Sequence, residues 1–201
     1  PGSGVLIFSG KNYTASKYAY GDNDNSCCGT LRDVVSINND DDGFSCGGSA
    51  DIIFEGSQSE NNGVAGVELN NCPTWRFSNY DIGGNGLGLW IHGRPYTSGI
   101  SLGSGGVLIG LGQFGNNKRQ DVLIDGGAYG INPSQIVGAQ FIPSSSRVKG
   151  KWASIEINND KHGGNIISAS IIRSSHDHSL NSAIWIHGVS GKNIINSVYA
   201  D

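Results

Sequence analysis

The sequence predicts an all-β fold, a parallel β-helix in which short strands stack coil upon coil into a solenoid. Three observations lead to this prediction: a composition rich in glycine, short strands with a period of two, and a pair of internal repeats. The chain has 201 residues, of which 32 are glycine, and only 15% are charged. Glycine is therefore more than twice as frequent as its average of roughly 7%, and charged residues fall below their usual roughly 25%. A chain of this length fits one domain with a single core.

The bulk composition also argues against several classes of protein. Hydrophobic residues make up 37% of the chain and recur as short apolar runs, which a disordered chain lacks. The net charge is −4, and the longest basic run is Lys118-Arg119, so we do not expect a nucleic-acid partner. No apolar stretch approaches the roughly 20 residues of a membrane helix, so we expect no membrane insertion. The chain contains no Met, and residues 1–3 could be a remnant of a cloning vector.

Short strands are predicted along the whole chain. Each alternates apolar with small or polar residues over about four to six positions and is bounded by Gly, Asn, Asp or Ser turns. No segment of ten or more residues shows the apolar period of a helix. Outside the internal repeats, strands are predicted at 5–8, 51–55, 107–111, 121–125, 136–141, 165–168 and 193–195.

Two kinds of strand are repeated in the same order. Residues 66–71 (Gly-Val-Glu-Leu-Asn-Asn) recur at 154–159 (Ser-Ile-Glu-Ile-Asn-Asn), with a looser copy at 35–40. Residues 87–93, which contain Trp-Ile-His-Gly, recur at 182–188. A repeated pair of strands separated by loops of variable length is typical of a solenoid. We interpret 1–50 as an opening region and 51–201 as the coils of one domain.

Asparagine pairs at 38–39, 70–71 and 158–159 are predicted to form the corners of the coils. If these strands are equivalent and the coils stack, like asparagines align and hydrogen-bond to one another, which pairs turn amides that would otherwise be buried alone.

The period of two assigns each strand residue to the core or to the outer surface. The residues predicted to face the core are Val67, Leu69, Leu89, Ile91, Val122, Ile124, Ile155, Ile157, Ile184 and Ile186. Those predicted to face outward are Glu68, Trp90, His92, Leu123, Glu156, Trp185 and His187. Outward tryptophans are notable because large exposed apolar groups tend to mark a binding surface.

The cysteines, Cys27, Cys28, Cys46 and Cys72, form no Cys-x-x-Cys pair, so they do not predict a metal or redox site. Adjacent cysteines cannot easily bridge each other, and free cysteine is commonly a small buried apolar residue. The sequence thus favours buried thiols, with a disulfide-stapled secreted protein as the alternative.

Several segments resemble phage tailspikes and other pectate-lyase-like, right-handed parallel β-helix proteins. The resemblance rests on the Gly-rich stretch 2–13 and on 67–77 and 184–195, which are similar to the rungs of those proteins. It implies a homotrimer on a phage virion that recognises, and often cuts, capsule or O-antigen polysaccharide with carboxylates in a groove. The chain ends directly after a rung-like strand, so we expect either a fragment or an end covered by a partner.

The candidate catalytic residues are carboxylates and histidines of the outward face. Glycoside hydrolysis uses two carboxyls, and acids on stacked strands can meet this spacing. Glu68 and Glu156 are too far apart in sequence to pair with each other, so each requires a nearer partner. The partners considered near Glu68 are Asp81, His92 and Arg94. Those considered near Glu156 are Asp125, His187 and the 176–178 triplet, which includes Asp177.

These candidates have alternatives. Both glutamates could instead be solvated acids on a strand face, and the histidines could be relics of a duplicated rung. As general bases, His92 and His187 would serve β-elimination from a uronic acid whose carboxylate Arg94 or Arg173 neutralises. Trp90 and Trp185 could stack on sugar rings or lie under a loop or at an interface.

Metal and cofactor sites are not predicted. His176 and His178 supply only two close ligands. Residues 22–33 begin like a calcium loop but carry Cys27 where that loop requires glycine, and 40–42 is interpreted first as an acidic turn.

Three functions follow as hypotheses. The first is a tailspike or tail-fibre domain that recognises a bacterial surface polysaccharide and could also depolymerise it. The second is a secreted polysaccharide lyase, hydrolase or epimerase, and the third is a structural solenoid shaft.

Overall fold

The chain folds as a parallel β-helix of seven coils, each contributing one strand to each of three sheets. The computed structural model describes residues 2–8, 27–47, 50–93, 106–126, 133–148, 151–158, 164–168, 170–173, 182–188 and 191–200. Every strand pairs in parallel with the strand three positions along the chain. The described residues contain no helix, so the prediction of an all-β solenoid is confirmed. None of them forms a helix long and apolar enough to cross a membrane.

The first sheet carries the repeated strands that the sequence singles out. Its strands are β1 (Val5–Phe8), β4 (Phe44–Gly47), β7 (Ala65–Asn70), β10 (Leu87–His92), β13 (Val122–Asp125), β16 (Ile155–Asn158) and β19 (Ile184–His187). The second sheet consists of β2 (Cys27–Arg32), β5 (Ala50–Glu55), β8 (Arg76–Ser78), β11 (Leu108–Ile109), β14 (Gln135–Val137), β17 (Ile166–Ser168) and β20 (Ile194–Asn196).

The third sheet turns the chain back towards the first. Its strands are β3 (Val35–Ile37), β6 (Gln58–Glu60), β9 (Tyr80–Gly83), β12 (Gly112–Gly115), β15 (Ala139–Ile142), β18 (Ile171–Ile172) and β21 (Tyr199–Ala200). Short strands and tight corners recur because each sheet is only a few residues wide. One predicted strand, 136–141, is in fact two, β14 and β15, which the chain joins by a bend at Gly138 with φ of 78°.

The interior is a column of apolar side chains from all three sheets. The inward positions of β7, β10, β13 and β16 are fully buried, as the period of two predicts. Phe44, Phe54, Phe77, Tyr80 and Phe114 form a chain of ring contacts with centroids 5.0–5.9 Å apart. This column gives the solenoid a continuous hydrophobic core rather than seven separate ones.

The inward assignment holds less well in β19. Ile184 is half-buried and Ile186 is 38% exposed, although both face the interior. Strand β19 is the last of its sheet among the described residues, so only one described strand of that sheet, β16, packs beside it.

An asparagine ladder runs along the corner between the third and first sheets. Nδ2 of each residue donates to Oδ1 of the next, from Asn39 to Asn62 at 2.8 Å, to Asn85 at 2.9 Å and to Asn117 at 3.2 Å. The prediction that asparagines stack at a corner of the coils is therefore confirmed. Of the positions predicted to do so, only Asn39 belongs to this ladder. Residues 35–37 form β3 of the third sheet, so 35–40 is not a copy of β7 or β16.

Glycines make room for this ladder. A Cβ at Gly43 would lie 2.1 Å from Ser59 Oγ, and one at Gly66 would lie 2.7 Å from Asn85 Nδ2. These separations are too short for a Cβ, so the ladder requires glycine at positions 43 and 66, whereas the equivalent residues before β13 and β16 are Asp121 and Ser154.

The expectation of buried thiols is wrong for two of the four cysteines. Cys46 of β4 and Cys72, in the turn after β7, form a disulfide. Two spatially adjacent coils supply them, 26 residues apart in sequence, which the sequence spacing did not indicate. The side chains of Cys27 and Cys28 lie outside the described residues.

Candidate functional site

The candidate site lies on the outer face of the first sheet, where side chains align in rows across the coils. One row, in register, places Ser45, Glu68, Trp90, Leu123, Glu156 and Trp185 side by side. A second row, two residues along each strand, holds Asn70, His92, Asp125, Asn158 and His187. We call Asp42, Ser45, Glu68, Trp90 and His92 the first unit. Gln120, Glu156, Trp185 and His187 form the second unit.

The first unit is organised around Glu68. Its Oε1 lies 2.8 Å from His92 Nε2 in the next coil, and its Oε2 accepts from Ser45 Oγ of the previous coil at 2.9 Å. Asp42, in the turn before β4, lies close enough to Glu68 for the charge of Glu68 to act on its pKa. Asp42 Oδ1 in turn accepts from the backbone N–H of Ala65 at 3.0 Å. Two carboxyl groups and an imidazole are thus held together.

The two carboxyls of this unit differ in how tightly they hold a proton. Burial and the negative charge of Glu68 raise the pKa of Asp42 from 3.8 to about 8, with smaller contributions from the Glu68 hydrogen bond and Asp41. Burial alone would also raise the pKa of Glu68, but His92, Ser45 and Asp42 outweigh it and lower that pKa. Asp42 is therefore the protonated partner at neutral pH and Glu68 the ionised one.

The second unit repeats this arrangement three coils later. Glu156 Oε1 lies 2.7 Å from His187 Nε2, and Glu156 Oε2 accepts from Gln120 Nε2 at 2.5 Å. Glu156 is only 7% exposed, so a solvated acid on a strand face does not describe it. Both glutamates are fixed by partners above and below them in the stack.

The two tryptophans differ in exposure. Trp185 is 41% exposed and packs at 4.8 Å from the His187 ring. Trp90 stacks on His92 at 4.0 Å and packs with Leu123, so it is half-buried although it faces outward. Within the described residues its Nε1 has no hydrogen-bond partner. The predicted outward aromatic surface is thus open at Trp185 and partly covered at Trp90.

The two units stand at a fixed spacing. Glu68 and Glu156 are separated by three strand steps, as are Trp90 and Trp185, which corresponds to ~14 Å at the usual strand spacing. Asp125 lies between the two units, in register with His92 and with Asn158. Asn158 Nδ2 is 3.5 Å from Asp125 Oδ1. The glutamates are too distant to act on one bond, as their sequence separation predicted.

Other candidate residues do not join this face. Arg173 follows β18 of the third sheet and is exposed there. Asp81 lies in β9 of the same sheet, where burial raises its pKa. Arg94, His176, Asp177 and His178 lie outside the described residues, as do residues 22–26 of the segment 22–33.

Sequence reasoning missed Asp42, Ser45 and Gln120 as members of the site. A signal existed in the 23-residue spacing of Asn39, Asn62 and Asn85, which fixes the register of successive coils. With that register, Ser45 falls beside Glu68, and Asp42 falls beside Ala65, three residues before Glu68.

Trp152 also lies near the edge of this face and was not predicted. It is half-buried, with the Arg119 guanidinium 4.8 Å and the Lys151 ammonium 4.9 Å from its ring centroid. Arg119 directly precedes Gln120, so a cationic aromatic cluster flanks the second unit.

No group of three or more His, Cys, Asp or Glu side chains within the described ranges is arranged to hold a metal ion. Comparison with known proteins adds no family. No model of a known protein family matches the chain, and no curated protein matches it.

Proposed function

We propose that the chain recognises a polysaccharide along the outer face of the first sheet. The observation that carries the proposal is the exposed Trp185, which lies in register with Glu156 and beside His187. Sugar rings present an apolar face that stacks on an indole, while their hydroxyls hydrogen-bond carboxylates and imidazoles. A second glutamate, tryptophan and histidine at ~14 Å along the same face fit an elongated ligand better than a small one.

The carboxylates within the two units favour a neutral polysaccharide over an anionic one, although Arg119 and Lys151 flank the second unit. Its described ionisable residues are Asp42, Glu68, Asp125 and Glu156, together with His92 and His187. Neither unit contains a lysine or arginine to pair with a uronate. Of the two arginines that the β-elimination hypothesis invokes, Arg173 lies on the third sheet and Arg94 lies outside the described residues.

A tailspike or tail-fibre domain, trimeric and attached to a virion, is the first form of this proposal. A secreted polysaccharide-degrading enzyme is the second, and the Cys46–Cys72 disulfide favours it because disulfides persist mainly in oxidising, extracellular compartments. Sedimentation velocity separates them, since a homotrimer supports the tailspike and a monomer the free enzyme.

The test is binding of a panel of capsular and O-antigen polysaccharides by isothermal titration calorimetry. We expect Trp185→Ala to weaken binding at least tenfold, because it removes the exposed stacking surface. Tyr199→Ala is the matched control, since Tyr199 is an exposed aromatic residue of the third sheet.

Binding that is equally weakened by both substitutions, or by neither, would count against this face. Loss of polysaccharide viscosity on incubation with the wild-type chain would add cleavage to recognition. Binding without any loss of viscosity would assign the chain to recognition alone.

A further inference from the structure

The two units of the outer face differ at one equivalent position. Asp42 lies two residues before Phe44, and Gln120 lies two residues before Val122. Phe44 and Val122 occupy the same register position of the first sheet. Backbone hydrogen bonds support the equivalence of Asp42 and Gln120. Asp42 O accepts from Gly4 N at 2.9 Å, and Gln120 O accepts from Gly88 N at 3.0 Å. A carboxyl therefore stands in one unit where an amide stands in the other.

In the second unit the donor to Glu156 carries no titrating proton. Gln120 Nε2 donates to one oxygen of Glu156, and His187 Nε2 lies at hydrogen-bond distance from the other. An amide N–H is a permanent donor. Both oxygens of Glu156 are therefore paired without a carboxyl donor, while Gln120 Oε1 has no partner among the described residues.

In the first unit the same contact needs a proton. Two ionised carboxylates are both acceptors, so Asp42 and Glu68 can hydrogen-bond only if one of them is protonated. Asp42 is 4% exposed and its Oδ1 is committed to the Ala65 N–H. The protonated Asp42 carboxyl then donates to Glu68 as the Gln120 amide donates to Glu156.

We propose that Asp42 and Glu68 share one proton, which makes the first unit a proton-exchanging site, whereas the second unit has an amide donor at the equivalent position. Asp42 is a positioning residue here, because its burial keeps it from direct contact with a ligand. Glu68 is half-buried and reaches the surface. The charged groups that act on the pair are Asp41 beside Asp42 and His92 beyond Glu68.

The ligand part of this inference rests on the proposed function. A polysaccharide hydroxyl that hydrogen-bonds Glu68 competes for its lone pairs and changes the affinity of the pair for its proton. Binding at the first unit should therefore move protons to or from the buffer.

The shared proton is tested without any ligand, by infrared difference spectroscopy of the wild-type chain against Asp42→Asn. At about pH 6.5, where a free carboxyl is ionised, we expect the wild type to show the C=O stretch of a neutral carboxylic acid that the variant lacks. Asn at this position supplies the same amide donor as Gln120, so the variant is expected to fold, as circular dichroism checks. Gln120→Asn is the control and should leave that band unchanged.

Two results would overturn the inference. One is a neutral-acid band that persists in Asp42→Asn or is absent from the wild type. The other is polysaccharide binding whose heat does not depend on the ionisation enthalpy of the buffer, since a proton-exchanging site releases or takes up protons. If the band behaves as expected and no polysaccharide binds, the shared proton stands and the proposed function fails.

Discussion

Asp42 and Gln120 lie at the same position of the first sheet, three coils apart, and each acts on a glutamate of the following coil. A carboxyl at this position must carry a proton to donate a hydrogen bond, whereas an amide N–H is a permanent donor. The chain thus contains a carboxyl and an amide at equivalent positions. Asp42→Asn and Gln120→Glu exchange these two groups.

Asp42→Asn should remove a pH dependence of stability. The pKa of Asp42 is raised from 3.8 to about 8 in the folded chain, so the folded state binds more protons than the unfolded state between these values. The associated stability is fully present below about pH 4 and is lost as pH rises through about 8. At about pH 9 we expect the variant to be more stable than the wild type by ~1–3 kcal/mol, the scale of an unsatisfied buried polar group. Urea unfolding at about pH 5 and pH 9 measures the difference. A variant as sensitive to alkaline pH as the wild type would contradict the assignment of the proton to Asp42.

Gln120→Glu should create the same pH dependence in the second unit. The new carboxyl would lie against Glu156, 7% exposed, and could keep the contact only in its protonated form. Its folded pKa should be raised, so stability is retained in acid and lost towards alkaline pH by ~1–3 kcal/mol. Thermal unfolding as a function of pH reports it, with Gln120→Asn as the control that keeps an amide. If thermal stability depends on pH in the same way in both variants, the carboxyl at position 120 is tolerated in its ionised form and this prediction is wrong.

The contrast between these units shows which parts of the site can be predicted from sequence. The glutamate, tryptophan and histidine lie within strands whose period of two sets their face, so Glu68, Trp90 and His92 were placed together correctly from their repeat. Asp42 comes from the preceding coil, and only the register between coils brings it to Glu68. That register is set by the asparagine ladder, most of which was assigned to the wrong residues.

The same limit explains the errors in burial. Periodicity predicts which way a side chain points, and Leu123, Glu156 and Trp90 do point outward. It cannot predict what packs against that outer face, so their burial came only from the structure. The Cys46–Cys72 disulfide also depends on the register between coils, since its partners lie in adjacent coils.

Asn62 should be the most sensitive link of the ladder. It is 1% exposed, donates through Nδ2 to Asn85 at 2.9 Å and accepts from the Asn39 N–H at 3.0 Å. Asn62→Ala leaves both neighbours with unsatisfied groups, so we expect a loss of ~2–4 kcal/mol from hydrogen bonds and a cavity. Asn39→Ala, at the half-buried end of the ladder, should cost less. Chemical denaturation compares them, and an equal loss for both would mean that position along the ladder does not matter.

Arg147 contacts the end of the asparagine ladder, where no asparagine follows Asn117. Its Nη2 lies 2.6 Å from Asp121 Oδ1, which also accepts from Asn117 Nδ2 at 2.9 Å, and its Nε donates to Asn117 O at 2.9 Å. Both charged side chains are almost fully buried, at 1% and 0% exposure. Arg147→Met would leave the Asp121 carboxylate buried without its cation, which should cost ~3–5 kcal/mol.

The double variant Asp121→Asn, Arg147→Met separates the charge from the packing. It removes both charges and keeps an acceptor for Asn117 Nδ2, so it should recover more than half of the stability lost in Arg147→Met. Unfolding free energies of the two single variants and the double variant form a cycle that gives the coupling directly. If the double variant is as unstable as the sum of the single ones, the guanidinium acts by filling space and by its bond to Asn117 O rather than by neutralising Asp121.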